Sequence, residues 1–144
     1  MKILMPNFEK RGGIIPVVVQ HVFLKDILML AYTNKECFLE TVETGIAVYY
    51  STSNQARWKK GETSGNTQRV RKVLVDCDGD ALIYLIEQKG SGACHTGAVS
   101  CFFRTIGGNT QFTVAKDLKK EDELKVFDIS KIKVGYESVD QGTI

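Results

Sequence analysis

The 144-residue chain lacks long apolar runs, internal repeats and low-complexity segments. Its longest continuous apolar stretch, residues 27–32, is far too short to span a bilayer. The first ten residues lack the apolar region and small-residue cleavage site of a signal peptide. These absences predict a cytoplasmic protein that does not enter a membrane.

Excess charge is also missing, because 19 Lys and Arg face 17 Asp and Glu, a formal net charge of +2. Such a small excess argues against general binding to nucleic acid or to membrane surfaces. The length suits one domain with a buried core, and no linker rich in Pro, Gly and Ser divides the chain. We therefore expect a single domain over residues 1–144.

Cysteine is scarce, with four residues in the whole chain. Without a secretion signal, these residues indicate a reducing compartment, where cysteines more often bind metals or act in catalysis than form disulfides. Cys37 falls within a predicted helix and is interpreted as a packed core thiol. His21 is interpreted as structural. Cys77, Cys94 and Cys101 are left as candidates for chemistry.

Strand patterns dominate the chain. Residues 14–22 are rich in β-branched side chains and predict a strand, with residues 27–32 as its partner. Residues 69–77 and 81–88 predict a hairpin joined tightly around an Asp-Gly turn. Further strands are expected at residues 46–51, 98–106, 111–115 and 132–138. This pattern predicts an α+β fold of mostly antiparallel strands around one main helix.

The helix is predicted over residues 34–44. Thr33 is the expected N-cap, Glu36 completes a capping box, and Gly45 suits the left-handed position after the helix. Residues 51–65 have no clear period and predict a long functional loop. The charged residues 116–125 predict an exposed turn or a short helix.

Acidic and thiol side chains concentrate first in the stretch Asp76, Cys77, Asp78, Gly79, Asp80. On an extended backbone, Asp76 and Asp78 would share one face and Cys77 would occupy the other. Carboxylate oxygens suit Mg²⁺, whereas a thiolate suits Zn²⁺. The alternative interpretation is a polar hairpin tip with a small buried cysteine, since Asp-Gly turns are common.

A second concentration is Cys94-His95-Thr96-Gly97, followed by Cys101. The spacing between the two cysteines is wider than in a zinc knuckle and is a weak signal by itself. Together with Cys77, however, they offer three thiolates and leave a fourth zinc position for water, as in catalytic sites. His95 is then either a fourth ligand or a base beside that water. The alternatives are a core Cys101 and a solvated His95.

Six stretches carry a resemblance to a known family. They are LMLAYTN (28–34), TGIAVYYS (44–51), WKKGETSG (58–65), DCDGDAL (76–82), EQKGSGACHTG (87–97) and SCFFR (100–104). Through them the chain resembles the phosphoribosyl-AMP cyclohydrolases, which are enzymes of histidine biosynthesis. The resemblance covers roughly residues 14–105 and leaves residues 106–144 as a C-terminal extension. That extension is too short for a fused pyrophosphohydrolase domain, so a monofunctional enzyme is expected.

The resemblance implies an intertwined homodimer whose zinc ligands come from both chains, Cys77 from one and Cys94 and Cys101 from the other. It implies that Asp76, Asp78 and Asp80 bind Mg²⁺. The implied reaction opens the adenine ring of N1-(5-phosphoribosyl)-AMP between N1 and C6. Zinc would lower the pKa of its water towards about 7 and supply hydroxide. His95 is the expected base, and an aspartate is the alternative.

The substrate implied by the resemblance carries two phosphate groups, and the expected contacts lie in one segment. The predicted substrate-binding residues are Arg57, Trp58, Lys60, Gly61, Glu62, Ser64 and Gly65. Many family members have two arginines within residues 51–54, where this chain has Thr52 and Asn54, and Arg57 is the expected substitute. For any single basic residue, the alternative is a solvated face.

Two other classes of protein were weighed. A zinc-dependent nucleobase deaminase needs H-x-E followed by P-C-x-x-C, and the chain contains neither motif. A non-catalytic, zinc-stapled nucleotide-binding module stays open as an alternative, with His95 as the fourth ligand of a closed site.

Overall fold

A computed structural model describes residues 2–104, which contain a short 3-10 turn, six strands and one α-helix. The 3-10 turn is Glu9–Arg11, and the other elements are β1 (Ile15–His21), β2 (Ile27–Thr33), α1 (Lys35–Thr44), β3 (Val48–Ser51), β4 (Ala56–Lys59), β5 (Gln68–Val75) and β6 (Leu82–Gln88). Of the described residues, 2–102 belong to one compact unit. No helix within the described part is long and apolar enough to cross a membrane.

Four of the strands form one mixed sheet in the order β2-β1-β6-β5. The pairs β1–β2 and β5–β6 are antiparallel, as expected, whereas β1 and β6 are parallel. Strands β3 and β4 form a separate antiparallel pair. The predicted α+β fold of mostly antiparallel strands around one main helix is confirmed. The parallel central pair was not foreseen, because it joins two separate hairpins.

The core lies on one face of the two central strands. In β1, Ile15, Val17 and Val19 are fully buried, and in β6 the alternate residues Leu82, Tyr84 and Ile86 are buried against them. This alternation is typical of a sheet with one face packed on a core. Each such side chain contributes about 1.5–3 kcal/mol through burial. The packing therefore fixes which face of β6 is buried, and β6 carries a loop of the candidate site at each end.

The helix begins one residue later than predicted. Its N-cap is Asn34, whose side chain accepts a hydrogen bond from the Cys37 N–H at 2.9 Å. Thr33 was wrong as the N-cap because it is still the last residue of β2, fully buried and paired with Ile15. The predicted end at Gly45 is confirmed, with φ of 73° and a backbone bond to Thr41.

The predicted long loop over residues 51–65 was wrong in part, because it contains β4. This strand pairs with β3 and places Trp58 opposite Tyr49. Most of its side chains are exposed, so the sequence offers no apolar alternation there.

The strand predicted at residues 98–106 is absent from residues 98–104. That segment contacts the edge of β2 through two isolated hydrogen bonds, from Cys101 N–H to Leu28 O and from the Ser100 hydroxyl to Ile27 O, both 2.7 Å. It forms no regular ladder. The predictions for residues 105–106, 111–115, 116–125 and 132–138 lie outside the described residues, and the single domain over 1–144 stays a prediction.

Candidate active site

The acidic stretch between β5 and β6 forms a turn. The N–H groups of Asp80 and Ala81 donate to Asp76 Oδ1 at 2.9 and 3.1 Å, and Gly79 takes a φ of 79°. The predicted hairpin around an Asp-Gly turn is therefore confirmed, whereas the extended backbone predicted through Asp76 and Cys77 was wrong, because β5 ends at Val75. The reversal nevertheless brings the carboxylates of Asp76, Asp78 and Asp80 within 4.8 Å of one another. An all-oxygen donor set of this kind fits Mg²⁺.

Two cationic side chains from the N-terminal segment contact this acidic turn. Lys10 Nζ lies 2.6 Å from Asp78 Oδ2 and 3.4 Å from Asp80 Oδ2, and Arg11 Nε donates to Asp80 Oδ2 at 2.8 Å. Asp80 is only 2% exposed. The Lys10 ammonium, above all, holds the pKa of Asp78 well below its usual range, and Asp78 in turn raises the pKa of Lys10. The N-terminal segment thus supplies the positive charges that balance the acidic turn.

The thiol segment follows the other end of β6. A small loop is closed by the Cys94 N–H bond to Ala98 O (3.2 Å), and the Thr96 hydroxyl donates to Cys94 Sγ at 3.0 Å. Cys94 is buried, whereas Cys101 is exposed as a residue. Loss of water around the Cys101 sulfur, followed by the nearby Cys94, raises the pKa of the Cys101 thiol to about 11. Two thiols therefore interact within one chain.

Lys60, a residue of the predicted substrate segment, interacts electrostatically with these thiols. It is only 7% exposed, and its Nζ lies 5.6 Å from the centre of the Trp58 ring. Burial lowers the pKa of Lys60, while the charges of Cys101 and Cys94 act in the opposite direction. The ion pairs within residues 2–104 do not include Lys60, so the thiols are the acidic groups that face it.

The other residues of the predicted substrate segment are exposed, with the exception of Gly61. The Trp58 ring packs on Tyr49 with centroids 5.8 Å apart and keeps 38% exposure. Gly61 is buried, and a Cβ there would lie 2.3 Å from the Asn66 backbone, so only glycine fits. Glu62, Ser64 and Gly65 are exposed. Arg57 forms a bidentate ion pair with the Glu40 carboxylate on α1.

Two predicted site residues, Cys77 and His95, are exposed to solvent and, within the described part of one chain, are not part of a metal cluster. Cys77 is exposed in the acidic turn, and His95 is exposed in the thiol loop. Within residues 2–104, the three aspartates are the only cluster of at least three potential metal ligands, so Cys77, Cys94 and Cys101 do not converge in one chain. The seven residues of β6 separate the acidic turn from the thiol segment, a length of roughly 20 Å.

Comparison with known proteins addresses the region that contains all of these residues. The family model described as phosphoribosyl-AMP cyclohydrolase matches residues 29–103. A phosphoribosyl-AMP cyclohydrolase of Archaeoglobus fulgidus is 57% identical over 103 residues, 72% of this chain and 94% of that protein. The chain belongs to the phosphoribosyl-AMP cyclohydrolase family. The predicted enzyme family is thereby confirmed.

Two further relatives agree with this assignment. A phosphoribosyl-AMP cyclohydrolase of Cenarchaeum symbiosum is 52% identical over 100 residues, 69% of this chain and 92% of that protein. The histidine biosynthesis bifunctional protein HisIE of Aquifex aeolicus is 57% identical over 97 residues, 67% of this chain and 47% of that protein. The predicted place of the family in histidine biosynthesis agrees with that name.

The candidate site also contains residues that the sequence did not assign to it. Lys10 and Arg11 contact aspartates that lie 68 and 69 residues further along the chain. Gln68 and Tyr49 are fully buried and bonded to each other at 2.5 Å. No local spacing connects such distant residues. Tyr49, within TGIAVYYS (44–51), lay in a stretch that the sequence had already singled out, but no role was assigned to it.

Proposed function

We propose that this chain hydrolyses the adenine ring of N1-(5-phosphoribosyl)-AMP at the N1–C6 bond, in the cytoplasm, as a step of histidine biosynthesis. The observation that carries the proposal is the coincidence of site and family. Every predicted site residue lies between residues 57 and 101, inside the matched region 29–103. Within that region, the thiols of Cys94 and Cys101 act electrostatically on Lys60 of the substrate segment.

The donor sets fit two different metals. Cys94 and Cys101 supply soft thiolates for zinc, and Asp76, Asp78 and Asp80 supply hard oxygens for Mg²⁺. When bound, zinc supplies hydroxide at neutral pH by lowering the pKa of water. His95 adjoins Cys94 in the sequence and is exposed, so its imidazole is accessible to take up a proton from the attacking water.

The third thiolate is proposed to come from a second copy of the chain. Cys77 and Cys94 lie beyond opposite ends of β6, so one chain alone leaves the thiol pair without Cys77. Large apolar side chains are available to cover such an interface, because Leu30 is 50% exposed and Phe102 is 62% exposed. Both belong to segments at the β2 edge, next to the bonds that hold Cys101.

Substrate binding is proposed to use the 57–65 segment. The Lys60 ammonium and the partly exposed Trp58 face suit a phosphate and a purine, respectively. The exposed Ser64 hydroxyl offers a further phosphate donor. Arg57 would have to exchange its ion pair with Glu40 for a phosphate, so it is the weakest of the proposed contacts.

The test is an ultraviolet assay of the purified protein with N1-(5-phosphoribosyl)-AMP, run with zinc, with zinc plus Mg²⁺, and with chelator. Metal-dependent loss of the intact purine absorbance supports the proposed hydrolysis. A folded, zinc-loaded protein that binds the nucleotide without turnover supports the alternative, a non-catalytic nucleotide-binding module. Product analysis by mass should find the addition of one water, since ring opening by hydrolysis adds nothing else.

A further inference from the structure

Buried amide side chains connect the two loops of the proposed site. Gln68 and Gln88 are paired residues at one end of the β5–β6 ladder, and Gln68 is fully buried. Gln68 Nε2 donates to Gln88 Oε1 at 2.9 Å, and Tyr49 OH donates to Gln68 Oε1 at 2.5 Å. The Tyr49 ring also packs on Trp58 of the substrate segment. One end of this network therefore lies under the proposed purine contact.

The other end of the network crosses to the thiol side. Gln88 Nε2 donates to three carbonyls, those of Asn66 at 3.0 Å, Thr67 at 3.2 Å and Lys89 at 2.8 Å. The Lys89 N–H donates back to Thr67 O at 2.9 Å. The end of the substrate segment and the start of the thiol segment are thus joined through one side-chain amide.

Asn66 adds a second connection a few residues nearer to Cys94. Its Oδ1 accepts from the Ser91 N–H at 3.2 Å, and its Nδ2 donates to Ser91 Oγ at 3.3 Å. A Cβ at Gly90 would lie 1.8 Å from Asn66 Oδ1, so the two loops approach as closely as glycine allows. The contact is therefore a close fit between two segments that each carry part of the proposed site.

The network also has a fixed direction. An amide offers an acceptor at one end and donors at the other. Because the three backbone carbonyls can only accept, the Gln88 amino group must face them. The Gln88 oxygen then faces the Gln68 amino group, and the Gln68 oxygen accepts from the Tyr49 hydroxyl. Reversing any one amide would place donor against donor or oxygen against oxygen. Such a network stabilises one arrangement of the loops when every member is satisfied.

We propose that Gln88, with Gln68 and Asn66, is a positioning residue of the cyclohydrolase site, setting the distance between the substrate segment and the thiol segment. This inference rests on the proposed function. A nucleotide held by Lys60 and Trp58 on one side must meet the groups around Cys94 on the other. A loss of that alignment weakens both substrate binding and reaction, because a displacement of about 1 Å can reduce a rate about 100-fold.

The first test replaces the amide of Gln88 with an apolar group of similar size, Gln88→Met. Its matched control is Gln20→Met, since Gln20 Nε2 also donates to a backbone carbonyl, that of Lys25, in a connection outside the proposed site. We expect the zinc content of Gln88→Met to equal that of the wild type, and its KM for N1-(5-phosphoribosyl)-AMP to rise about tenfold. A purely structural defect lowers the active fraction and leaves KM unchanged.

A second measurement probes the contact between the two loops and does not depend on turnover. Hydrogen exchange at the Lys89 and Ser91 amides should accelerate in Gln88→Met and in Asn66→Ala, and stay at the wild-type rate in Gln20→Met. Asn66→Ala decides the question if Gln88→Met does not fold, because Asn66 is only half-buried. A KM within twofold of wild type, or unchanged exchange, in the folded variants overturns the positioning role. A wild type without turnover overturns the proposed function, and this role with it.

Discussion

The ammonium of Lys10 lies 2.6 Å from Asp78 Oδ2 and so occupies the space beside a carboxylate that is proposed to bind Mg²⁺. Lys10 and a metal ion therefore compete for the same oxygen. Both side chains of the pair are about half exposed, so the competition is moderate in strength.

Replacing Lys10 should strengthen binding of Mg²⁺. We expect Lys10→Gln to lower the dissociation constant for Mg²⁺ by at most about fivefold, because the ion pair that it removes is exposed to solvent and weak. Calorimetric titration with Mg²⁺ alone measures it, and the effect should shrink as salt is added. Lys35→Gln is the matched control, since Lys35 is an exposed lysine at the start of α1.

Asp78→Asn tests the same site from the opposite direction. The variant keeps the shape of the side chain and removes its charge, so we expect weaker binding of Mg²⁺ and an unchanged zinc content. Loss of zinc from Asp78→Asn would indicate one shared metal site.

The Lys10→Gln prediction has its own contrary outcome. Weaker binding of Mg²⁺ by Lys10→Gln would mean that Lys10 supports the metal site instead of competing with it.

The thiol assignment predicts a clear difference between two buried cysteines. Cys94→Ser should lose both zinc and activity, because a hydroxyl is a poor replacement for a thiolate. Cys37→Ser should keep its zinc, since Cys37 is a buried residue of α1 and its thiol donates to Tyr49 O at 3.4 Å. Metal analysis of the two purified proteins makes the comparison. A full complement of zinc in Cys94→Ser would refute the ligand assignment.

Some elements of the fold could be predicted from the sequence and others could not. The β-branched residues of β1, the Asp-Gly turn before β6 and the glycine that ends α1 are local signals, and the structure confirms the elements that they predict. Strand β4 carries no such signal, because its side chains are mostly exposed and its pairing with β3 supplies its order. Propensity and periodicity record burial, and a strand without burial leaves little trace in them.

The candidate site divides in the same way. The residues of the acidic turn and of the thiol segment were found because their chemical types cluster in the sequence. The hairpin turn was predicted from its Asp-Gly pair, but the role of Asp76, which accepts two backbone N–H groups there, was not. The contact of Lys10 with Asp78 depends on the packing of the whole sheet, which no local pattern encodes.

Ligands from two chains would connect zinc binding to assembly. We expect a dimer in sedimentation of the zinc-loaded protein and a shift towards monomer when a chelator removes the metal. Cys77→Ser should shift the protein in the same direction without chelator, since it would remove the proposed ligand from the second chain. Cys37→Ser is again the control. A Cys77→Ser protein that keeps both its zinc and its dimer would place the third ligand elsewhere.

The position of the helix N-cap gives a test of the fold that is independent of the metals. Asn34 Oδ1 accepts from the Cys37 N–H at 2.9 Å, so Asn34→Ala should lower the free energy of unfolding by about 1 kcal/mol. Asn34→Asp should retain most of the stability, because a carboxylate accepts the same bond and favours a helix N-terminus. Denaturant unfolding at fixed zinc concentration measures both. Equal stability of Asn34→Ala and the wild type would return the cap to Thr33, the residue that the sequence pattern had favoured.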